Sequence, residues 1–187
     1  MSAPGPKIIF LDRDGVINEF PGMGHYVVSL EEFRMIPGSA RAVALLCEAG
    51  FEVHVITNQG CVSRGLLSEK WLEAIHDRMR REVGAAGGRF AAILYCPHQT
   101  SDACECKKPK PTLFLKAAAG RKVDFSSVYF IGDSEEDILA GKNVGCKTVL
   151  VLSGRTNSDN LAEISPKPDF IKRNLLEAAQ WITQKKS

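Results

Sequence analysis

The sequence predicts one α/β domain, residues 1–187, in which a Rossmann-like, mainly parallel β-sheet carries helices on both faces. Three observations predict this fold. Short apolar runs recur along the chain, longer helical patterns separate them, and no linker, repeat or low-complexity segment divides the 187 residues. Because crossovers between parallel strands are right-handed, the carboxyl ends of the strands should share one edge, where open sheets of this kind bind ligands.

Five apolar runs have the length and the flanking polar or glycine residues of buried strands. They are Lys7–Leu11, Glu52–Ile56, Ala91–Tyr95, Val128–Ile131 and Lys147–Leu152. We expect all five to lie side by side in one sheet.

Five helices are expected between and after these strands: Gly38–Ala49, a helix from the N-cap Ser68 to Val83, Pro111–Ala119, Glu135–Asn143 and Asn174–Gln184. Leu67 and Leu72 flank the Ser68 N-cap at the spacing of a hydrophobic staple. Gly50 is a plausible stop for the first helix.

Charge and hydropathy exclude several classes of protein. The chain has 24 basic and 22 acidic residues, a net charge of +2, which is too small for a nucleic-acid-binding surface. No run approaches the roughly 20 apolar residues that span a bilayer, and the first residues lack the apolar core of a signal peptide. We therefore expect a cytoplasmic monomer that binds neither nucleic acid nor membrane.

Two carboxylates follow the first predicted strand. In an extended segment Asp12 and Asp14 point the same way, and their repulsion should raise one pKa or require a cation between them. Mg²⁺ would keep Asp12 ionised as a nucleophile, and a partly protonated Asp14 could act as a general acid. The alternative is a strand end with two solvated acids.

Later strand ends add groups that suit phosphate chemistry. Thr57-Asn58-Gln59-Gly60 offers a hydroxyl, amides and backbone N–H groups, and Lys108 could bring positive charge to a phosphoryl group. Asp133 is placed to complete a magnesium site. Asp137 could support that site or simply favour a helix N-terminus electrostatically.

A second metal site is predicted by Cys96, His98, Cys104 and Cys106, which form a C-x-H-x5-C-x-C pattern. Three thiolates and one imidazole complete the tetrahedral shell of a structural Zn²⁺ site. A disulfide or chance clustering is the alternative. We expect zinc to order the loop 96–109 while most of the domain folds without it.

Together these motifs resemble the haloacid-dehalogenase-like phosphatases. The resemblance implies that Asp12 attacks phosphorus and becomes an aspartyl-phosphate. It also implies that Asp14 protonates the leaving alcohol, activates water and binds Mg²⁺ through its backbone carbonyl. Thr57 and Lys108 match the residues that hold the phosphoryl oxygens, and Asp133 matches the remaining magnesium ligand.

The Asp12–Asn18 motif combined with the zinc loop resembles the histidinol-phosphate and heptose-bisphosphate phosphatase branch, whose members carry little or no cap domain. The resemblance implies a Mg²⁺-dependent hydrolase that removes the 7-phosphate of a heptose 1,7-bisphosphate in lipopolysaccharide precursor synthesis. It suggests substrate contacts from Arg13, Tyr26, Asn58, Gln59, Arg64, Lys107 and Ser134; Lys107 stands where the heptose enzymes have arginine. The alternatives are a histidinol-phosphate or other small sugar-phosphate phosphatase, and an inactive zinc-stabilised binding module.

Two further residues have less specific patterns. Cys61 could be a reactive thiol near the site or a small packing residue. His76 is expected on a solvated or half-buried face of its helix.

Overall fold

The structure is a computed structural model that describes residues 7–184. It contains one sheet of six parallel strands in the order β3-β2-β1-β4-β5-β6. The strands are β1 (Ile8–Leu11), β2 (Glu52–Asn58), β3 (Ala92–Cys96), β4 (Tyr129–Gly132), β5 (Lys147–Val151) and β6 (Phe170–Lys172). This confirms the predicted fold class; the expected lack of a signal peptide concerns residues that lie largely outside the described range.

All five predicted helices are present, with ends within two residues of the prediction. They are α1 (Ser39–Glu48), α2 (Glu69–Ala85), α3 (Thr112–Ala118), α4 (Glu135–Val144) and α5 (Leu175–Gln184). Ser68 caps α2 by accepting a hydrogen bond from the Trp71 backbone N–H. Leu67 and Leu72 are both buried in the same cluster, as a hydrophobic staple requires.

The helices cover both faces because successive side chains of each strand point to opposite sides. Ile9 and Leu11 of β1 belong to the cluster that includes buried side chains of α1, α2 and α5. Ile8 and Phe10 belong to the opposite cluster, with side chains of α3 and α4. The strands are therefore apolar on both sides.

The prediction of five strands was incomplete, because it missed β6. This strand has only three residues, follows Pro166 and Pro168, and pairs with β5 at the edge of the sheet. Its middle residue, Ile171, is 44% exposed, so no continuous apolar run marks it in the sequence. The second strand also extends further than predicted and includes Thr57 and Asn58.

The strand order determines where the polar side chains meet. Since β1 lies between β2 and β4, Asp12, Thr57 and Asp133 are brought to adjacent positions at the carboxyl edge. Within residues 7–184, no helix combines the length and the apolar character needed to cross a membrane.

Candidate active site

A buried lysine links two carboxylates at the centre of the site. Lys108 Nζ lies 2.8 Å from Asp12 Oδ1 and 2.6 Å from Asp137 Oδ1. Burial raises the pKa of Asp12 to about 7, although the charge of Lys108 opposes the shift. Burial disfavours the charged amine of Lys108, but the two carboxylates raise its pKa above the usual range. The lysine therefore remains protonated beside Asp12.

Asn58 at the end of β2 fixes the backbone of that lysine. Its side-chain Oδ1 accepts a hydrogen bond from Lys108 N at 3.0 Å, and its Nδ2 donates to Lys108 O at 3.3 Å. Nδ2 also donates to Glu136 Oε2 at 3.1 Å. Asn58 lines the cavity, but most of its hydrogen-bonding capacity is used to hold Lys108.

Asp133 sits in a tight backbone cradle at the end of β4. Its Oδ2 accepts a 2.6 Å hydrogen bond from Arg155 N. A Cβ atom at Gly15, where φ is +79°, would lie 2.1 Å from Asp133 Oδ2, and one at Gly154 would lie 2.0 Å from the same atom. Only glycine allows so close an approach at these positions. Burial, followed by the nearby charge of Asp137, raises the pKa of Asp133 well above its ordinary value.

Asp137 has a definite structural partner, which the sequence left open. Its Oδ2 accepts a 2.6 Å hydrogen bond from Ser134 Oγ, within a capping box at the start of α4. Despite burial, the ion pair with Lys108 keeps the pKa of Asp137 below its ordinary value. Asp137 therefore orients the lysine as well as capping the helix.

Asp14 differs from the expectation of partial protonation. Its carboxylate accepts hydrogen bonds from Arg13 Nη2 at 2.9 and 3.0 Å, Asn18 Nδ2 at 2.8 Å and Gln59 Nε2 at 2.8 Å. Burial alone would raise the pKa of Asp14, but Arg13 and these donors lower it. The predicted repulsion required a raised pKa at one of the two carboxyls or a cation between them; Asp12 has the raised pKa, chiefly through burial, whereas the donors around Asp14 lower its pKa.

Gln59 links the Asp14 carboxylate to the Thr57 hydroxyl of β2. Its Nε2 also donates to Thr57 Oγ1 at 2.9 Å. A hydroxyl that accepts a hydrogen bond retains its own hydrogen for another partner. Thr57, which lines the cavity, can therefore direct that hydrogen towards an oxygen bound beside Asp12.

Two residues expected to contact substrate are placed elsewhere. The side chains of Arg13 and Gln59 are fully buried, and neither lines the cavity that contains Asp12. Both face Asp14 instead. This geometry favours a role in holding Asp14 over the predicted contact with substrate. The two roles differ in the direction in which the side chains point, which the sequence does not show.

A guanidinium group lies over an aromatic ring that lines the cavity. Tyr26 lines the cavity, and the guanidinium carbon of Arg64 lies 5.7 Å from the centroid of its ring. Lys107 lines a neighbouring cavity, next to the cysteine loop. Ser134 is buried and also lines the main cavity.

Arg155 is a cavity residue that sequence reasoning missed. Its guanidinium carbon lies 5.7 Å from the centroid of Phe20, and both residues line the main cavity. The signal was available, since Ser153-Gly154-Arg155 follows the fifth strand as the other site residues follow theirs.

Within residues 7–184, two clusters could hold metal ions. Oxygen atoms of Asp12, Asp133 and Asp137 lie within 4.8 Å of one another. Asp14 is absent from this set because its side chain faces Arg13; its predicted magnesium contact used the backbone carbonyl. Buried carboxylate oxygens are the ligands that Mg²⁺ prefers.

The second cluster contains the four predicted zinc ligands. Cys96 Sγ lies 3.5 Å from Cys104 Sγ and 3.0 Å from Cys106 Sγ, while His98 Nδ1 lies 3.3 Å from Cys106 Sγ. These separations exceed a disulfide bond, and all six cysteines are free. They approach the spacing of about 3.8 Å between sulfur ligands at tetrahedral vertices around zinc.

Cys61 and His76 are both fully buried. Burial raises the pKa of the Cys61 thiol, which disfavours the reactive thiolate and favours the packing interpretation. The expected exposed or half-exposed position of His76 was wrong, because that side of α2 packs against the sheet and the Asp12–Asn18 loop.

The fold and this carboxylate–lysine site define a hydrolase of the haloacid-dehalogenase-like class. The Hydrolase_like family model, described as HAD-hydrolase-like, matches residues 105–178. The chain is 42% identical to D-glycero-beta-D-manno-heptose-1,7-bisphosphate 7-phosphatase of Pseudomonas aeruginosa, over 95% of this chain and 98% of that protein. The corresponding Bordetella bronchiseptica phosphatase is 40% identical, again over 95% and 98%.

Solved structures agree. The crystal structure of D,D-heptose 1,7-bisphosphate phosphatase from B. bronchiseptica, complexed with magnesium and phosphate, has a TM-score of 0.89 and 37% identity; the match covers 96% of this chain and 99% of that one. The Burkholderia thailandensis phosphatase has a TM-score of 0.70 and 32% identity, covering 94% and 97%. The chain belongs to the heptose-1,7-bisphosphate 7-phosphatase family.

Proposed function

We propose that this protein is a Mg²⁺-dependent phosphomonoesterase that removes the 7-phosphate from D-glycero-D-manno-heptose 1,7-bisphosphate through a phosphorylated Asp12. The observation that carries the proposal is the pairing of Asp12 with the buried cation of Lys108 in a cavity also lined by Thr57 and Asp133. The relatives that share the fold and most of the chain support the choice of substrate.

In the first step, a carboxylate oxygen of Asp12 attacks phosphorus. The new Asp12 O–P bond forms as the bond from phosphorus to the sugar oxygen breaks, and the electron pair of that bond goes to the leaving oxygen. Lys108 and the Thr57 hydroxyl stabilise negative charge on the transferred oxygens. Asp14 delivers a proton to the leaving oxygen.

The hydrogen bonds that lower the pKa of Asp14 favour its carboxylate form in the free protein, so its proton would arrive with the substrate. A phosphate group with a second pKa of about 6 is partly protonated near neutral pH. Asp14 can take that proton and pass it to the sugar oxygen. In the second step Asp14 accepts a proton from the attacking water. The water O–P bond forms as the Asp12 O–P bond breaks, which regenerates the Asp12 carboxylate and releases inorganic phosphate.

The carboxylates fit a magnesium ion. Asp12 and Asp133 would hold it, since both oxygens of Asp137 already have partners in Lys108 and Ser134. A divalent cation there would offset the burial that raises the pKa of Asp133 and Asp12. When bound, magnesium supplies electrostatic stabilisation of the phosphoryl group.

Three cations near the cavity suit the phosphate that remains on the sugar. Among residues 7–184, no carboxylate forms an ion pair with Arg64, Lys107 or Arg155. Arg64 and Arg155 are held over Tyr26 and Phe20, whose rings also line the cavity. Guanidinium groups match the oxygens of a phosphate. The second phosphate of a bisphosphate substrate could pair with these three cations, whereas a monophosphate would leave them without an anionic partner.

The substrate proposal predicts a clear preference. With Mg²⁺ present, kcat/KM for heptose 1,7-bisphosphate should exceed that for histidinol phosphate by at least about 10-fold, because only the bisphosphate has a second dianionic group for the cations. Steady-state phosphate release measures this ratio. Heptose 7-phosphate is the matched control, and its reduced kcat/KM should reside mainly in KM. Equal values for all three would contradict the proposed substrate.

We further propose that zinc binds Cys96, His98, Cys104 and Cys106 and acts as a structural ion. Cys96 ends β3, and the loop leads from it to Lys107 and Lys108. The far side of the loop is tied down by hydrogen bonds from Lys110 Nζ to Cys104 O and from Thr112 Oγ1 to Glu105 O. A metal at this point would fix the loop that supplies Lys108.

Loss of zinc should therefore affect catalysis more than the fold. For the double variant Cys104→Ser/Cys106→Ser we expect loss of bound zinc and a fall in kcat of about 10-fold or more, because Lys108 loses its fixed position. Metal analysis, far-ultraviolet circular dichroism and kinetics test this. Cys47→Ser, outside the loop, should behave as wild type. Wild-type kinetics in the zinc-free double variant would contradict the proposed role.

A further inference from the structure

His76, a buried histidine of α2, is linked to Asp14 through the side chain of Arg13. His76 Nε2 lies 3.5 Å from Arg13 Nη1, and the side chains of both residues are fully buried. Arg13 in turn places Nη2 at 2.9 and 3.0 Å from the two carboxylate oxygens of Asp14. His76, Arg13 and Asp14 thus form a continuous hydrogen-bonded chain.

The chemistry of arginine determines which atoms donate and which accept in the hydrogen bonds that link His76, Arg13 and Asp14. A guanidinium can only donate, so His76 Nε2 must accept, and the ring proton must lie on Nδ1. Nδ1 faces Glu73 Oε2 at 3.5 Å, on the solvent side of α2. Burial and the charge of Arg13 lower the pKa of His76 to about 4, which agrees with a neutral ring that accepts from the arginine.

The backbone of Arg13 is also fixed. Its carbonyl oxygen accepts hydrogen bonds from the N–H groups of Val16, Ile17 and Asn18, which hold the turn after β1. The remaining freedom of Arg13 is in its long side chain, whose ordering carries an entropic cost. His76 supplies an acceptor for the guanidinium nitrogen that Asp14 does not use.

We infer that His76 is a positioning residue for proton transfer: it orients Arg13, which sets the direction of the Asp14 carboxylate towards the leaving oxygen. The inference rests on the proposed function, because it requires Asp14 to be the acid. Neither His76 nor Arg13 lines the cavity, so neither is a catalytic residue. Their effect should be confined to the step in which a proton is delivered.

Leaving-group dependence distinguishes this role from general structural support. The p-nitrophenolate ion is stable and leaves without a proton, whereas phenolate leaves faster when protonated. We compare single-turnover release of p-nitrophenol from p-nitrophenyl phosphate with release of phenol from phenyl phosphate. The two substrates are similar in size, and the measurement reports only formation of phosphorylated Asp12.

For His76→Phe, which keeps a ring but removes the acceptor, we expect phenol release to fall at least about 10-fold and p-nitrophenol release to fall less than about 2-fold. His76→Gln should recover most of the loss, since its amide oxygen can accept from Arg13. His54→Phe is the matched control, a second buried histidine on β2 outside this chain. It should show no difference between the two substrates.

Equal loss with both substrates, or no loss with either, would overturn the inference while leaving the proposed function intact. A wild-type protein that releases no phosphate from heptose 1,7-bisphosphate, with Mg²⁺ present, would overturn the proposed function itself. If His76→Phe does not fold, Arg13→Lys replaces it, because a lysine cannot pair with both oxygens of Asp14 and also reach His76. Arg13→Lys should show the same selective loss of phenol release. An equal loss of phenol and p-nitrophenol release in this variant would overturn the inference.

Discussion

Asp12→Asn should abolish turnover while leaving the fold and the bound zinc unchanged. The side chains are nearly identical in shape, but an amide oxygen is a poor nucleophile. Loss of the nucleophile in an enzyme with covalent catalysis lowers kcat by as much as about 10⁶-fold, and we expect a fall of at least about 10⁴-fold here. Steady-state phosphate release with Mg²⁺ present measures the effect.

The structure also predicts the stability of this variant. Asp12 is buried, and its pKa is raised to about 7, so near neutral pH its ionisation is disfavoured in the fold. A neutral amide removes that penalty but also removes one carboxylate beside Lys108. Because the two effects oppose each other, we expect a change in unfolding free energy of less than about 2 kcal/mol in buffer without Mg²⁺.

Asp159→Asn changes an exposed carboxylate far along the chain and should keep wild-type kinetics. After acid quenching of wild type with radiolabelled substrate, the label should be found on the peptide containing Asp12 and be absent from Asp12→Asn. A label on any other side chain, or normal turnover by the variant, would falsify the proposed mechanism.

Lys108→Met is expected to reduce both activity and stability. Methionine fills a similar volume but leaves Asp12 and Asp137 buried beside each other without their shared cation. Removing one partner of a buried ion pair costs about 3–5 kcal/mol, and losing one group that stabilises transition-state charge costs about 10²–10³-fold in kcat. Urea unfolding and steady-state kinetics measure the two losses.

A double variant separates these effects. Lys108→Met/Asp137→Asn removes one of the two uncompensated carboxylates, so it should regain much of the lost stability but none of the activity. Lys142→Met removes a partly exposed lysine that pairs with Asp169 near the start of β6, and should have little effect on either. If activity returned together with stability in the double variant, Lys108 would have a structural role only.

The fold and the principal residues of the site could be predicted because they depend on order along the chain. Apolar runs that alternate with helical patterns predict a parallel sheet, and parallel strands end at one edge. Asp12, Thr57 and Asp133 each follow or end such a run, so their proximity follows from topology alone. The short spacing of Cys96, His98, Cys104 and Cys106 likewise limits how far apart the four can lie.

What the sequence could not determine is the direction in which a side chain points and what packs against it. Arg13 follows Asp12 immediately and looks like a substrate contact, yet the structure turns it inward onto Asp14 and His76. Asn18, Gln59 and that arginine surround Asp14 and lower its pKa, which repulsion from Asp12 could not reveal.

By itself, then, the sequence determined the sheet, the edge that carries the site and the residue types available for phosphate and metal chemistry. The tertiary structure decided which of those residues face the cavity, which support others from behind, and that β6 completes the sheet. Periodicity and strand order are local properties of the chain, whereas burial and side-chain pairing depend on contacts between residues far apart in sequence. His76 and Arg13, which come together from α2 and the turn after β1, show this difference most clearly.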